Sequence, residues 1–585
     1  MCGIIGYVGS RNAVDVLIDG LTHLAYRGYD SCGIAVFSDG NLQTQKATGK
    51  INNLIPLTKS IKNASIGIGH TRWATHGKPT QENAHPHGKS KITLVHNGII
   101  ENYSELKEDL LNKGYSFKSE TDTEVCAVLL ESLLETHVML DAIKELHKKI
   151  EGSYAIAILD KSDQDTIYCI RKGSPLIIGV GQNETFIASD MSALLDYTKS
   201  YYILEDDEMA IIQSNTQVFY DLASFIPIYK EVQEADWSLT AVNKGEFETY
   251  MLKEIHDQPE VLKTTFSQEL KLDDAFLQDI NDIHIVACGT AMHAGLVAKQ
   301  WIEKYARKRV YVEVASEFRY MDPILDKDDL VIVVSQSGET ADSLASLRLA
   351  NNHDIKTLAV VNVYGSSIQR EASRYIMTYA GTEIAVASTK AYIAQLATLY
   401  QLTQKLTNNA MKDANTVIPF VESLIHNSQE IHQIAKEYLA VTDAFFIGRG
   451  LDYAIALEGS LKLKEISYIH AESYPAGELK HGTISLITDD VLTVALVTQS
   501  QVFDKMLSNV QEVRARNSKM ILIAPEHLAA DESLYDHRIN IPHVDDDLMP
   551  FVAAIPLQLL AYSSSSLRGC DVDQPRNLAK SVTVE

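Results

Sequence analysis

Between residues 283 and 523 the chain repeats itself. Ile283–Gly289 is matched by Ala444–Gly450, Leu330–Val334 by Val491–Ala495, and Thr357–Val361 by Lys519–Ile523, at an offset of about 160 residues. Few letters are shared. What recurs is a short, continuous apolar run followed by a long amphipathic stretch. A strand that is apolar on both faces must be covered on both faces, so this alternation requires buried parallel strands with crossover helices. Two doubly wound parallel-sheet domains are therefore predicted, over 248–425 and 426–568, with their boundary inside Asn408–Val441.

The first 235 residues have another texture. Short strands are predicted over Ile34–Ser38, Ile66–His70, Ile92–Asn97, Tyr154–Leu159, Thr166–Arg171, Leu176–Val180, Thr185–Ala188 and Met209–Ile212. Only Ala13–Leu24 and Thr121–Thr136 read as helices, the second opening on Thr-Asp-Thr-Glu, a cap and first turn. Many strands with few helices give a layered α+β domain over 1–235. The polar stretch Glu234–Gly245 reads as a linker, placed at 236–247, and 569–585 as an irregular tail.

Composition excludes several function classes. The six cysteines are scattered with no C-x-x-C pair, which argues against a disulfide framework or a structural zinc. A formal net charge of −25 disfavours nucleic acid and anionic membrane. A small anionic substrate remains compatible, because a helix N-terminus can hold a phosphate locally. No apolar run approaches the ~20 residues of a membrane span, and the N-terminus lacks signal-peptide features, so a cytoplasmic location is expected.

Cys2 lies one cleavage from the N-terminus. With Met1 removed it would carry a nucleophilic thiol and a free amine of pKa about 7.7–8.0 on one residue, nucleophile and base together. Gly3, Gly6 and Gly9 alternate with Ile4, Ile5, Tyr7 and Val8, a buried strand with bare backbone rather than a frayed tail. Three further groups accompany it. His70–Gly77 places Arg72, Trp73, Thr75 and His76 in one loop after a strand. Val95–Gly98 closes another strand; Asn-Gly is a common hairpin turn, and the Asn97 side chain with the Gly98 amide would also make an oxyanion hole. Asp122 either caps its helix or holds an ammonium, with Arg72 on the carboxylate of the same amino acid.

In the second half, Ser335-Gln336-Ser337-Gly338-Glu339-Thr340 stands between a buried strand and a helical run, the outline of a phosphate cradle. No Gly-Lys-Ser/Thr follows, so neither a nucleoside triphosphate nor magnesium is expected. Ser388 opens another helix. Lys462 and Glu465 share a helix face, a pattern that on its own describes a surface ion pair. Gly477–Gly482 is a loop presenting His481. Lys, carboxylate and His together can open a sugar ring and move a proton between adjacent carbons, and a desolvated Lys580 can form an imine with a ketone.

The start Cys-Gly-Ile, Tyr26–Ser31, the His70–Gly77 loop, His96-Asn97-Gly98 and Glu120–Glu124 resemble the class II glutamine amidotransferases. These have a four-layer α/β/β/α Ntn-hydrolase fold. The resemblance implies that Cys2 attacks the glutamine amide, that Asn97 and Gly98 hold the oxyanion, that Arg72, Thr75, His76 and Asp122 bind glutamine, and that Trp73 is a gate. Ser335–Thr340, Val386–Lys390, Leu461–Glu472, Gly477–Gly482 and Asp571–Glu585 look like the isomerising glutamine–fructose-6-phosphate aminotransferase family, with two sugar isomerase domains and a C-terminal catalytic tail over 569–585. By that resemblance Ser335, Gln336, Ser337 and Thr340 hold the sugar phosphate, and Thr290, Val386, Ser388 and Ala579 line the sugar. His481 opens the ring, Lys580 forms the imine, and Glu465 and Lys462 move protons. Ammonia passes from Cys2 to the imine, glucosamine 6-phosphate is the product, no metal or cofactor is needed, and a homodimer is expected. The family commonly has Ser where this chain has Ala291. The alternatives are an amidotransferase with another sugar-phosphate acceptor, or a sugar-phosphate-binding regulator.

Overall fold

The computed structural model describes residues 2–234 and 244–583; most of the expected linker, 236–243, lies outside them. Contacts divide the chain into two compact units, Met1–Ala241 with Ala579–Glu585, and Val242–Leu578.

The first unit is built on two antiparallel sheets of eight and seven strands. Strand Gly3–Gly9 runs inside the first, paired with Ile66–Arg72 and Glu184–Ala188. Side chains alternate across a strand, and here the alternation sorts them between layers. Ile5 and Tyr7 pack against helix Ala13–His23, while Ile4 and Val8 meet Val95, Ala155 and Ala157 of the second sheet. The far face of the second sheet, with Leu94, Ile156 and Ile158, is covered by helices Asp122–Leu133 and Met139–Lys149. Helix, sheet, sheet, helix is the predicted four-layer arrangement.

One local expectation changes. Asn97-Gly98 neither turns nor ends its strand: the strand runs Ile92–Ile100, and Asn97 and Gly98 pair with Ala155 and Tyr154. Gly98 has φ +125, and a Cβ there would stand 1.9 Å from the Ser153 carbonyl oxygen. The glycine therefore serves close backbone approach within a sheet, not a hairpin.

The second unit holds two five-stranded parallel sheets of the same topology. The first runs in the order Val310–Val314, Ile283–Ala287, Leu330–Ser335, Lys356–Val361, Arg374–Met377; the second runs His470–Pro475, Asp443–Gly448, Leu492–Leu496, Lys519–Pro525, His537–Ile541. The three strand pairs matched in the sequence occupy equivalent places. Each sheet has its own outer core, but their inner faces share one continuous layer of helices. The boundary stretch contributes two of these helices, Ile418–His426 and Gln429–Glu437.

The expectation that no apolar run reaches membrane-span length is corrected. Asp546–Leu567 is 22 residues with an 18-residue window of mean hydropathy 1.3, but that window is wholly buried. Its helix, Met549–Leu567, is apolar all round because other helices surround it at the centre of the shared layer.

Candidate active sites

In the first unit Cys2 heads the inner strand. Its thiol lies against the loop that follows Arg72, accepting from the Trp73 amide at 3.3 Å and facing the Trp73 carbonyl oxygen at 3.5 Å. Two donors hold the Cys2 carbonyl: Asn97 Nδ2 at 3.1 Å and Arg27 Nε at 3.2 Å. Burial pushes the thiol pKa up, while the Trp73 amide and Arg72 pull it down.

Arg72 ends the neighbouring strand. Its guanidinium donates to the carbonyls of His76, Gly77 and Lys78, folding the loop back over its own base. Burial lowers its pKa, against the charges of Cys2, Asp122 and Asp30. Trp73 is half-buried, Thr75 exposed, and the His76 ring meets Tyr103 edge-on at 4.8 Å. Asp122 is buried but is not the cap. Thr121 caps the helix by accepting from the Glu124 amide, and Asp122 accepts from the Ile100 amide at 2.9 Å. The unit thus gathers Cys2, Trp73 and Asn97 by hydrogen bonds, with the Arg72 charge acting on the thiol.

Sequence reasoning assigned no role to Arg27 and Asp30 within the quoted Tyr26–Ser31 motif. Arg27 bridges the Cys2 carbonyl and Asp190 at 3.2 Å, and Asp30 accepts the Ala74 amide at 2.8 Å. A charged pair inside an otherwise apolar and glycine-rich motif was the available signal.

In the second unit the cradle is preformed. Ser335 Oγ accepts the Gly338 amide at 3.0 Å and lies 3.2 Å from Thr340 Oγ1; Ser337 Oγ accepts the Glu339 amide at 3.2 Å. Gly338 has φ +66, and a Cβ there would collide with Ser366 Oγ at 2.0 Å. Thr340 begins helix Ala341–Asn352 without capping it through its side chain, so the start of a helix, the end whose dipole favours an anion, faces the cradle. Gln336 is half-buried at the cradle's edge. The Val386–Ser388 loop is fixed from several directions. Glu383 accepts from Thr389 and Ala391, Glu254 from Ile384 and Ala385, and the Asp573 carbonyl accepts from Val386.

Lys462 and Glu465 do not form the surface ion pair that their spacing describes. Lys462 is 1 % exposed on helix Leu451–Ser467, with its ammonium 2.6 Å from Glu465, 3.4 Å from Glu458 and 3.1 Å from the Thr290 hydroxyl. Burial works against its charge, yet the two carboxylates outweigh it and raise its pKa. Glu458, absent from the expected residues, accepts from Thr290 at 3.1 Å and pairs with His293 at 2.7 Å. Its partners come from the other repeat, so no local pattern announced them. The structure therefore joins Thr290, Lys462 and Glu465. His481 ends the short helix Ala476–His481 and is exposed, and among the described residues it shares no hydrogen bond with this group. Lys580 and Ala579 fall with the first unit when the chain is divided by its contacts.

Comparison with known proteins follows the same division. A model described as a glutamine amidotransferase domain matches residues 70–196, and an SIS domain model matches 276–405 and 441–567. The chain is 48 % identical over 610 residues to glutamine–fructose-6-phosphate aminotransferase [isomerizing] of Caldanaerobacter subterraneus, with both chains covered completely. It is 45 % identical to the protein of that name from Aquifex aeolicus and 44 % to that from Thermus thermophilus, again over all of each chain. The solved C-terminal domain of glucosamine-fructose-6-phosphate aminotransferase from Francisella tularensis is 41 % identical, covering 57 % of this chain and all of that one at a TM-score of 0.52.

Proposed function

Since the chain belongs to the isomerising glutamine–fructose-6-phosphate aminotransferases, we propose how its residues divide the conversion of fructose 6-phosphate and glutamine into glucosamine 6-phosphate and glutamate. The Cys2 thiolate attacks the glutamine amide carbon. Asn97 Nδ2 and the Gly98 amide hold the oxyanion, and Arg72, Trp73, Thr75, His76 and Asp122 grip the amino-acid end. The C–N bond breaks, ammonia leaves with a proton, and water hydrolyses the thioester to glutamate.

Ser335, Gln336, Ser337 and Thr340 hold the sugar phosphate, while Thr290, Val386, Ser388 and Ala579 line the sugar. His481 opens the ring. Lys580 condenses with the C2 ketone and loses water, and ammonia then displaces the lysine to leave a C2 imine. Glu465 takes the C1 proton and returns it to C2 while the O1 hydroxyl proton is exchanged for one on the imine nitrogen, so C1 becomes the aldehyde and C2 carries the amine. Lys462, cationic between Glu458 and Glu465, gives a proton to the imine nitrogen and takes one from O1, moving protons alongside Glu465. Neither metal nor cofactor enters this scheme. The working form is a cytoplasmic homodimer.

The observation that carries the reading is the buried contact of Lys462 with both Thr290 and Glu465. It sets a sugar-lining hydroxyl of one repeat on the acid–base pair of the other. The test supplies glutamine and fructose 6-phosphate and measures glucosamine 6-phosphate and glutamate. Cys2→Ala should abolish the glutamine-dependent product and keep conversion of fructose 6-phosphate to glucose 6-phosphate. Lys580→Ala should remove the aminosugar and keep glutamate release. Normal aminosugar output from the Lys580 variant would defeat the imine role.

A further inference from the structure

Four histidines are buried in the first unit beneath Cys2: His70, His85, His87 and His96. None has a part in the scheme above. His70 is fully buried, and its ring stacks on His85 with centroids 4.0 Å apart. Its Nε2 lies 3.0 Å from the His96 carbonyl oxygen and 3.1 Å from Asn97 Oδ1. Its Nδ1 is buried with no hydrogen-bond partner among the described residues.

These contacts determine the tautomer. A backbone carbonyl only accepts, so the Nε2 facing the His96 oxygen must carry the hydrogen. The unpartnered Nδ1 is then the bare nitrogen. Burial holds the ring neutral, with a pKa lowered to about 3. The same Nε2–H faces Asn97, so the oxygen of the Asn97 amide must point toward His70 and its NH2 group toward Cys2. One hydrogen of that group is used on the Cys2 carbonyl at 3.1 Å, and the second is left for a substrate oxyanion. An amide turned by half a rotation would set its oxygen against the Cys2 carbonyl oxygen and its NH2 against a hydrogen donor.

We propose that His70 is a positioning residue for glutamine hydrolysis: its Nε2–H, locked by the His96 carbonyl, fixes the Asn97 amide so that its donors face the reacting carbon. This rests on the oxyanion role given to Asn97. Among the described residues His70 shares no hydrogen bond with the thiol. It acts on the stabilisation of the tetrahedral state, not on the nucleophile.

The test uses the full chain and compares His70→Leu, His70→Gln, His70→Asn, Asn97→Ala and the His70→Leu/Asn97→Ala double variant. Glutamate release gives kcat and KM for glutamine, and alkylation by iodoacetamide reports on the thiol. Removing an oxyanion donor costs about 100- to 1,000-fold, so a misaimed donor should cost roughly 10- to 100-fold. His70→Leu should therefore lower kcat by that factor, keep KM within about threefold and leave the alkylation rate of Cys2 within about twofold. His70→Gln places an N–H near the Nε2 position and should recover most of the rate. His70→Asn, whose N–H falls at the Nδ1 position, should not. The double variant should be no slower than Asn97→Ala alone, because an absent amide cannot be misaimed. Equal rates for the Gln and Asn variants, or losses that multiply in the double variant, would overturn the proposal even if His70→Leu fails to fold. If Asn97→Ala itself keeps the wild-type kcat, the oxyanion reading falls instead.

Discussion

The two repeats of the second unit share a sheet topology and differ at the same spot. In the first, the strand Leu330–Ser335 leads into a loop of hydroxyls and amides that bond among themselves, Ser335 Oγ with the Gly338 amide and Ser337 Oγ with the Glu339 amide. In the second, the equivalent strand Leu492–Leu496 leads to Thr498, whose amide is taken at 2.8 Å by Asp452. Asp452 stands two residues beyond Gly450, as Ala291 stands two beyond Gly289. One repeat has a methyl group where the other has a carboxylate. In the second repeat the protein's own carboxylate thus takes the amide at this spot. The second repeat has turned its helix to another task, carrying Glu458, Lys462 and Glu465 toward Thr290 and His293 of the first. At equivalent positions of the duplicated helices, Ala291 in one and Asp452 in the other, one side chain thus goes with the difference between the two loops.

The largest expected effect comes from breaking the chemistry while sparing the binding. Glu465→Gln should lower kcat for aminosugar formation on the order of 1,000-fold, with KM for fructose 6-phosphate within about threefold. An equal rise in KM would mean that the repeats do not divide the work. Next comes the reverse experiment. Ser337→Ala with Thr340→Ala removes two hydroxyls from the first repeat's loop and should raise that KM roughly 10- to 100-fold. Glutamate release without sugar should be unchanged, and steady-state kinetics of both half-reactions would decide the matter.

The smallest effect probes the second repeat's loop. Burial raises the Asp452 pKa to about 6, against its hydrogen bonds from Thr498. In the unfolded chain the same group titrates near 3.9. Its contribution to stability is therefore fullest below pH 4 and is lost as pH rises through 6. Between pH 5 and pH 7 it should remove roughly 1 kcal/mol of unfolding free energy. Asp452→Asn keeps an acceptor for Thr498 and should erase that part of the pH dependence. Denaturant unfolding at the two pH values measures the change, and an unaltered slope in the variant would show that Asp452 does not titrate in this range.

What the sequence disclosed was whatever depends on local pattern. Continuous apolar runs revealed the parallel strands and their duplication, and Thr-Asp-Thr-Glu revealed the cap at Thr121. Local pattern misled where tertiary packing decides. Asn97-Gly98 has the letters of a turn but lies inside a strand, because its neighbour in the sheet needs a residue without a Cβ. Lys462 and Glu465 have the spacing of a solvated pair, but Lys462 is buried against Thr290 of the other repeat and Glu465 is half-buried. Arg27 acts on a residue 25 positions away and Glu458 on one 165 away. Pairings at such separations leave no mark on periodicity.

The helix Met549–Leu567 also has a bearing on how the chain is made. It lies at the centre of the layer that both parallel sheets share, yet it is translated after every element that it packs against. Until it emerges from the ribosome, the apolar faces of the helices around it, Leu451–Ser467, Ile418–His426 and Gln429–Glu437 among them, stay uncovered, with the kind of surface that chaperones recognise. A premature stop before residue 549 would thus strip the keystone from both repeats at once, rather than trim the second alone.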